Sequence, residues 1–335
     1  MNLLLWSLAL LGAILAAHWG ADQLSVPLQK LRKQWGLSEA AGAAFVALAT
    51  ASPEIGTNTA SALKGLSDIG LGNLLGSNII SIPAIVTVAY FANKSRQNNS
   101  SDTGRDPSPL PERHLLRVKR EALTIQALPY LAVIAIAALL TLPPQWQGLQ
   151  PIDGYIMLGV YGIYLAQAIF RKREEQQNVN WSAQQIWIAT AGVLSLSIGA
   201  YLTVTATEQI VSILGISQLI GGLFITATLS IAPEVFATWS VARSGQVTAA
   251  TTSVIADNTA TMSLALVPLA LVATPIDDMP MFLTNFGFVA LFAAFYAGFV
   301  YWGDDQGQYS FGRWEVAGLI GLYLIYVAVI FLFVL

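Results

Sequence analysis

The chain has 335 residues, of which 55% are hydrophobic and only 10% charged, with a mean hydropathy of +0.61. Soluble domains carry about 25% charge, so this composition belongs in lipid. A net charge of −3, spread over 16 basic and 19 acidic residues, argues against a nucleic-acid partner, and the absence of cysteine excludes disulfides, thiol catalysis and cysteine-ligated metals.

A helix that crosses the hydrocarbon needs about 20 apolar residues. By that measure the sequence predicts ten spans, at about 2–24, 37–63, 69–92, 121–142, 152–170, 184–207, 218–242, 246–273, 280–302 and 314–335. The first has no basic n-region and is long enough to span, so it is expected to stay as a helix and not to be cleaved as a signal. Two connections are very short, Lys64-Gly65 and Arg243-Ser244-Gly245, and they predict tight helical hairpins over 37–92 and 218–273. The longest connection, 93–120, is polar and proline-rich. Its first part is expected to be a disordered linker, and its end, from His114 to Arg120, to begin the fourth helix at the membrane surface.

Five spans precede the polar loop that starts at Arg171 and five follow it, so the chain divides into 1–170 and 184–335, joined by 171–183. With the N-terminus placed outside, the inner loops hold every basic residue except Lys64. The positive-inside rule therefore favours both termini on the outer side and the main basic loops in the cytoplasm, as expected for an integral protein of a plain cell membrane. Because five is odd, the second half enters the membrane from the opposite side. Any similarity between the halves is then an inverted-topology repeat, as in many secondary transporters.

That similarity is visible. Gly36-Leu37-Ser38 corresponds to Gly215-Ile216-Ser217, Phe45 to Phe224, and, after one residue of slippage, Pro53-Glu54 to Pro233-Glu234. From there the halves match without a gap, Lys64-Gly65 with Ser244-Gly245 and Gly76-Ser77-Asn78 with Ala256-Asp257-Asn258.

Proline has no N–H, so Pro53 is expected to leave the carbonyl of Ala49 unpaired, and Pro233 that of Leu229. In lipid such a carbonyl must be buried in protein or face a water-filled cavity. An ionised glutamate beside it costs a further 2.5–3.5 kcal/mol or so at mid-membrane. Carbonyl oxygens together with carboxylates are the ligands of a hard cation. Spacing gathers more oxygens, since Thr50 and Glu54, Ser77 and Ser81, Ser230 and Glu234, and Asp257 and Thr261 are each four apart and share a helix face. Glu54, Glu234 and Asp257 lie inside apolar spans with no lysine, arginine or histidine expected at comparable depth, and His18 reads as a packed or interfacial side chain. Three carboxylates without a counter-ion require cations as partners. The serines and threonines are the weaker members of this set, because such residues often bond the carbonyl one turn back.

At these residues the chain resembles the calcium/cation antiporter superfamily, whose members include the sodium/calcium exchangers. Its motifs G-T-S-x-P-E and G-N-x-x-G-S-N are matched by Ala49-Thr50-Ala51-Ser52-Pro53-Glu54 and by Gly72-Asn73-Leu74-Leu75-Gly76-Ser77-Asn78. The second half keeps only Ser230, Pro233, Glu234 and Asn258. The resemblance implies an all-α membrane protein of ten transmembrane helices in two inverted five-helix repeats. It also implies exchange of calcium against sodium or protons by alternating access. The departures are Ser81 and Thr261, where the family commonly has asparagine or a carboxylate, and Asp257, where it usually has serine. The resemblance therefore leaves the coupling ion open.

These readings predict a transporter and not an enzyme, with no cofactor, no obligate protein partner, and small inorganic cations and the bilayer as its partners. Two alternatives stand beside calcium exchange. One is sodium or potassium exchange against protons on the same fold. The other is an intramembrane Mg2+-dependent enzyme, which would need basic residues close to its acids.

Overall fold

Backbone amides in hydrocarbon have no water to bond, so long apolar segments settle as helices that bond within themselves. A computed structural model of the chain describes residues 2–35, 47–101, 116–118, 126–142, 148–171, 176, 178–245, 247–302 and 309–334. In chain order the long helices are α1 (Leu3–Gln34), α2 (Ser52–Leu63), α3 (Ser67–Ser101), α4 (Leu128–Thr141), α5 (Pro151–Arg171) and α6 (Ala183–Leu214). A helical run from Gln218 to Ser230 follows, with a π segment at Gly221–Thr226, and leads into α7 (Ala232–Arg243) and α8 (Val247–Ala260). A second π segment, Thr261–Ala265, joins α8 to α9 (Leu266–Leu271), and α10 (Met279–Trp302) and α11 (Arg313–Val334) complete the order.

Among the described residues, seven helical runs are long and apolar enough to cross a membrane: Leu3–Leu24, Ser67–Arg96, Ala183–Leu214, Gln218–Arg243, Ala250–Leu271, Met279–Tyr301 and Arg313–Leu332. The other expected spans have a different standing. Those at 121–142 and 152–170 are represented by α4 and α5, which are helical but not among the seven. Of 37–63, the part before residue 47 lies outside the described residues, as do Gly36-Leu37-Ser38 and Phe45.

Two expectations about the long connection are corrected. Helix α3 continues to Ser101 and does not stop at Asn93. Extending an established helix adds one bond per residue without a new nucleation cost. Lys94, Arg96 and Gln97 are good helix formers, and Asn93 is buried and accepts a hydrogen bond from Arg96 at 3.1 Å. Further on, Leu116–Val118 is a strand and not the start of a helix. It pairs antiparallel with Tyr309–Phe311, Leu116 opposite Phe311. Both segments alternate apolar and polar residues, the period of a strand, and Leu116 and Phe311 are fully buried. Residues 102–115 lie outside the described residues.

The described chain forms two compact units, each drawing on both halves of the sequence. The first comprises 1–77, 135–230 and 256–277. Here α1 packs along α6, with Gly20 against the backbone of Gly192 and Leu196, and Gly199 against that of Ala13 and Ala17. Ser195 also donates to the Ala16 carbonyl at 2.8 Å. Helix α2 lies against α6, α9 and the Thr261–Ala265 segment, and α5 lies against α9. Lys64, at the tip of the α2–α3 hairpin, reaches Glu208 at 3.2 Å and Thr205 at 2.8 Å on α6.

The second unit comprises 78–134, 231–255 and 278–335. Buried tyrosines bond across its helices: Tyr130 to the Asn78 side chain at 2.8 Å, Tyr326 to that of Asn285 at 2.8 Å, and Tyr296 to the Thr251 carbonyl at 3.2 Å. A phenol is large and apolar but keeps a hydroxyl that needs a partner when buried, which fixes the register of these helices.

Candidate cation site

Two stretches 180 residues apart take the same local form. Helicity lapses at Ala51 and at Ile231, which cap α2 and α7 with nearly equal dihedrals (φ −77°, ψ −7° and φ −77°, ψ −14°). Pro53 and Pro233 follow in the first turn, where a missing N–H costs nothing. The hairpin tips also agree, with Gly65 at φ 67° and Gly245 at φ 96°, a left-handed conformation that glycine adopts without strain. Each lapse places its glutamate, Glu54 or Glu234, in the first turn of a new helix.

The expectation of an unpaired carbonyl at Ala49 is corrected. Ser52 donates its hydroxyl to the Ala49 carbonyl at 2.7 Å, in place of the proline's missing N–H. That oxygen has a second lone pair, so it stays able to coordinate. Position 232 is alanine, so no side-chain hydroxyl there can do the same for Leu229.

Four of the residues singled out in the sequence meet in the first unit. Glu54 is 3% exposed, and its Oε2 has no hydrogen-bond partner. Beside it stand the Asp257 carboxylate and the Ser230 hydroxyl. Asp257 is 7% exposed, with Oδ1 unpartnered and the Thr50 hydroxyl beside it. The surroundings of Asp257 are apolar, since its neighbours Ala256 and Ala260 pack with Ala47, Ala51 and Tyr161 in one buried cluster. Two acids thus lie side by side where water is scarce.

The remaining predicted residues are placed differently. Ser77 is buried in the first unit and donates to the Leu74 carbonyl at 3.2 Å. Thr261 opens the π segment, and its hydroxyl lies 3.1 Å from the carbonyls of both Asp257 and Asn258. These two hydroxyls bond back to their own helices, as those of Thr50 and Ser230 do to Ala47 and Ala227 at 3.1 Å. Glu234, partly buried, and Ser81, buried, belong to the second unit.

His18 and Tyr161, outside the predicted set, stand beside the acids, and two asparagines add buried polar atoms on α2 and α3. A ring nitrogen of His18 lies within 4.8 Å of a Glu54 carboxylate oxygen, so a histidine does lie at the depth of the acids, contrary to the sequence expectation. Tyr161 stands beside Asp257. Asn58, one turn after Glu54, donates to the Ala265 carbonyl at 2.8 Å and keeps a buried, unpartnered Oδ1. Both polar atoms of the Asn73 side chain are buried without partners. The signal for the asparagines was in the sequence: Asn58 lies four residues after Glu54 and Asn73 four before Ser77, hence on the same faces. No local signal marks His18, because only the packing of α1 against α2 brings it in.

Apolar helices of spanning length, with buried carboxyl groups that each keep an unpartnered oxygen, define an integral membrane protein with acidic side chains in its interior. The sequence profile described as sodium/calcium exchanger protein matches residues 5–170 and 184–332, and the chain belongs to that family. The fold is similar to that of the sodium-calcium exchanger NCX_Mj. In the crystal soaked with 100 mM Na+ and 10 mM Sr2+ the identity is 20%, the cover 98% of this chain and 99% of that one, and the TM-score 0.65. With 10 mM Na+ and no Ca2+ the identity is 19%, the cover again 98% and 99%, and the TM-score 0.63. The H+/Ca2+ exchanger CAX aligns at 14% identity over 97% of this chain and 80% of that one, with a TM-score of 0.70. No curated protein sequence matches the chain.

Proposed function

We propose that the chain is a secondary active antiporter that exchanges calcium against sodium or protons by alternating access. The observation that carries this reading is the pair of buried, unpartnered carboxylate oxygens on Glu54 and Asp257. Side by side in an apolar setting, two acids repel each other and lack the solvation that water would give. Binding a cation relieves both costs. An empty site resists being carried through a closed state, whereas a neutralised one does not, and this difference gives exchange and not leak. Ser230 and Thr50 supply further oxygens beside the acids, with the Ala49 carbonyl one residue before Thr50. In the second half Glu234 takes the role of Glu54, with Leu229 in that of Ala49, and Ser77, Ser81 and Thr261 are secondary contributors.

We place the chain as ten transmembrane helices in two inverted repeats, 1–170 and 184–335, with both termini on the outer side of a cell membrane. Family membership supports this reading, as do the fold's likeness to a sodium-calcium and to a proton-calcium exchanger and the matching lapses at Ala51 and Ile231. An Mg2+-dependent enzyme acting on phosphates would need basic residues beside its acids. Among the described residues the salt bridge to a lysine is that of Lys64 with Glu208, at a hairpin tip and not beside Glu54 or Asp257.

The test uses purified protein in sealed vesicles with an outward sodium gradient, an outward proton gradient, or neither. Calcium uptake driven by one of the gradients is expected, and the gradient that works names the coupling ion. Uptake without either gradient would indicate a leak, and no calcium uptake under any condition would remove calcium as a substrate.

A further inference from the structure

His18 lies midway along α1, and its ring is held in a particular way. Nδ1 is 3.0 Å from the Ile14 carbonyl. A carbonyl only accepts, so Nδ1 carries a proton, and in the neutral ring the Nε2 lone pair is bare. Nε2 is buried and completes no hydrogen bond. The Ser230 carbonyl lies beside the ring, and a ring nitrogen and a Glu54 carboxylate oxygen come within 4.8 Å of one another. An imidazole nitrogen about 2.1 Å from an ion and an oxygen up to about 2.6 Å from it lie at most about 4.7 Å apart, so a separation of this order suits a shared ion. Metal-ligating histidines are typically fixed by a bond from their other ring nitrogen to a backbone carbonyl or a carboxylate. His18 has that bond to Ile14.

We infer that His18 Nε2 is a ligand of the cation site, and that the site therefore takes first-row divalent transition-metal ions as well as calcium. The inference rests on the cation site proposed at Glu54 and Asp257. Calcium takes oxygen ligands, whereas imidazole suits the transition ions. A nitrogen in an otherwise oxygen shell raises the affinity for those ions relative to calcium. A histidine serving only to pack α1 against its neighbours would not need a buried ring nitrogen without a partner.

The experiment uses the purified full-length protein, with Mn2+ as the probe and Ca2+ as the reference ion. Binding of each is measured by titration, and bound Mn2+ is examined by pulsed electron paramagnetic resonance for coupling to ¹⁴N. Wild type is expected to bind both ions and to show the nitrogen coupling. Loss of even an outer-shell partner weakens metal binding about 10–100-fold, so His18→Asn, which removes a direct nitrogen ligand, is expected to weaken Mn2+ binding by about tenfold or more and abolish the coupling, while Ca2+, which takes oxygen ligands, is weakened less. His18→Gln, checked for a wild-type thermal melt, serves if the asparagine variant fails to fold. Bound Mn2+ without nitrogen coupling, or equal Mn2+ affinity in folded His18 variants, overturns the histidine ligand and leaves the carboxylate site standing. If Glu54→Gln and Asp257→Asn bind both ions as wild type does, or wild type binds neither, the proposed site falls and this inference with it.

Discussion

The tightest helix crossing in the first unit gives a prediction with little freedom in its sign. A Cβ placed on Gly72 would stand 2.3 Å from the Leu219 carbonyl oxygen, 2.9 Å from the Leu223 nitrogen and 3.0 Å from the Gly222 Cα. A Cβ on Gly222 would meet the Ile69 carbonyl oxygen at 2.4 Å and the Asn73 nitrogen at 2.8 Å. Every one of these contacts is backbone, so no rotamer can yield. Ordinary contact begins at 3.4 Å, so in an interior packed like a crystal α3 and the 218–230 run must part by about 1 Å. Overpacking of this kind costs about 1–3 kcal/mol, against about 1 kcal/mol gained from replacing glycine by alanine in a helix. Gly72→Ala is therefore expected to destabilise by up to about 2 kcal/mol, the upper end of the difference, since no side chain shares the strain. Gly159→Ala on α5 has nothing within 4 Å of its new methyl and is expected to stabilise by about 0.5–1 kcal/mol. Gly72→Ala and Gly222→Ala open the same gap, so their costs do not add. Unfolding of each variant in detergent, followed by tryptophan fluorescence, measures the difference. Gly72→Ala as stable as Gly159→Ala would refute the backbone contact.

The remaining predictions concern the site and its supports. Glu54→Gln and Asp257→Asn keep the shape of each side chain but remove a charge, and both are expected to abolish cation-driven exchange in vesicles; normal exchange by both removes them from the site. Ser52→Ala takes away the hydroxyl on the buried Ala49 carbonyl, a loss of about 1–3 kcal/mol in unfolding measurements; an unchanged midpoint means the carbonyl finds another donor. Lys64→Met breaks a pair whose side chains are 18% and 36% exposed; such pairs are worth under about 1 kcal/mol, and the effect should shrink as salt is raised.

Much of this architecture is written locally. Apolar length marks the helices, the pairs Pro53-Glu54 and Pro233-Glu234 mark where they lapse, and Gly65 and Gly245 mark where they turn back. Each of these signals acts within a few residues, which is why the sequence carries it openly. The helical extension from Asn93 to Ser101 was hidden by composition: its polar residues resemble a linker, but a helix already formed behind them continues at small cost. The strands at Leu116–Val118 and Tyr309–Phe311 are three residues each, too short for an alternating pattern to stand out from background. The capping of Ala49 could have been read from a serine three residues on. His18 could not, because its meaning depends on which helix lies next to α1.

The difference between the ligand atoms that are bonded and those that are not bears on how the proposed site would work. A hydroxyl that donates to a carbonyl keeps lone pairs for a cation, but it is held in the orientation that bond sets. The hydroxyls of Thr50, Ser77, Ser230 and Thr261 are all in that position, tied to carbonyls of their own helices. Glu54 Oε2 and Asp257 Oδ1 have no such bond. Leaving them bare costs stability in the empty protein, and the lapse at Ala51 lessens that cost. It puts Glu54 in the first turn of α2, where the helix's positive end favours an anion by about 0.3–1 kcal/mol, rising to about 2 kcal/mol where partly buried. An unbroken helix through residue 51 would lack that end and leave Glu54 facing Asp257 without compensation. The lapse thus helps the site hold two carboxylates together, each with one oxygen that no hydrogen bond occupies, for a cation that both can share.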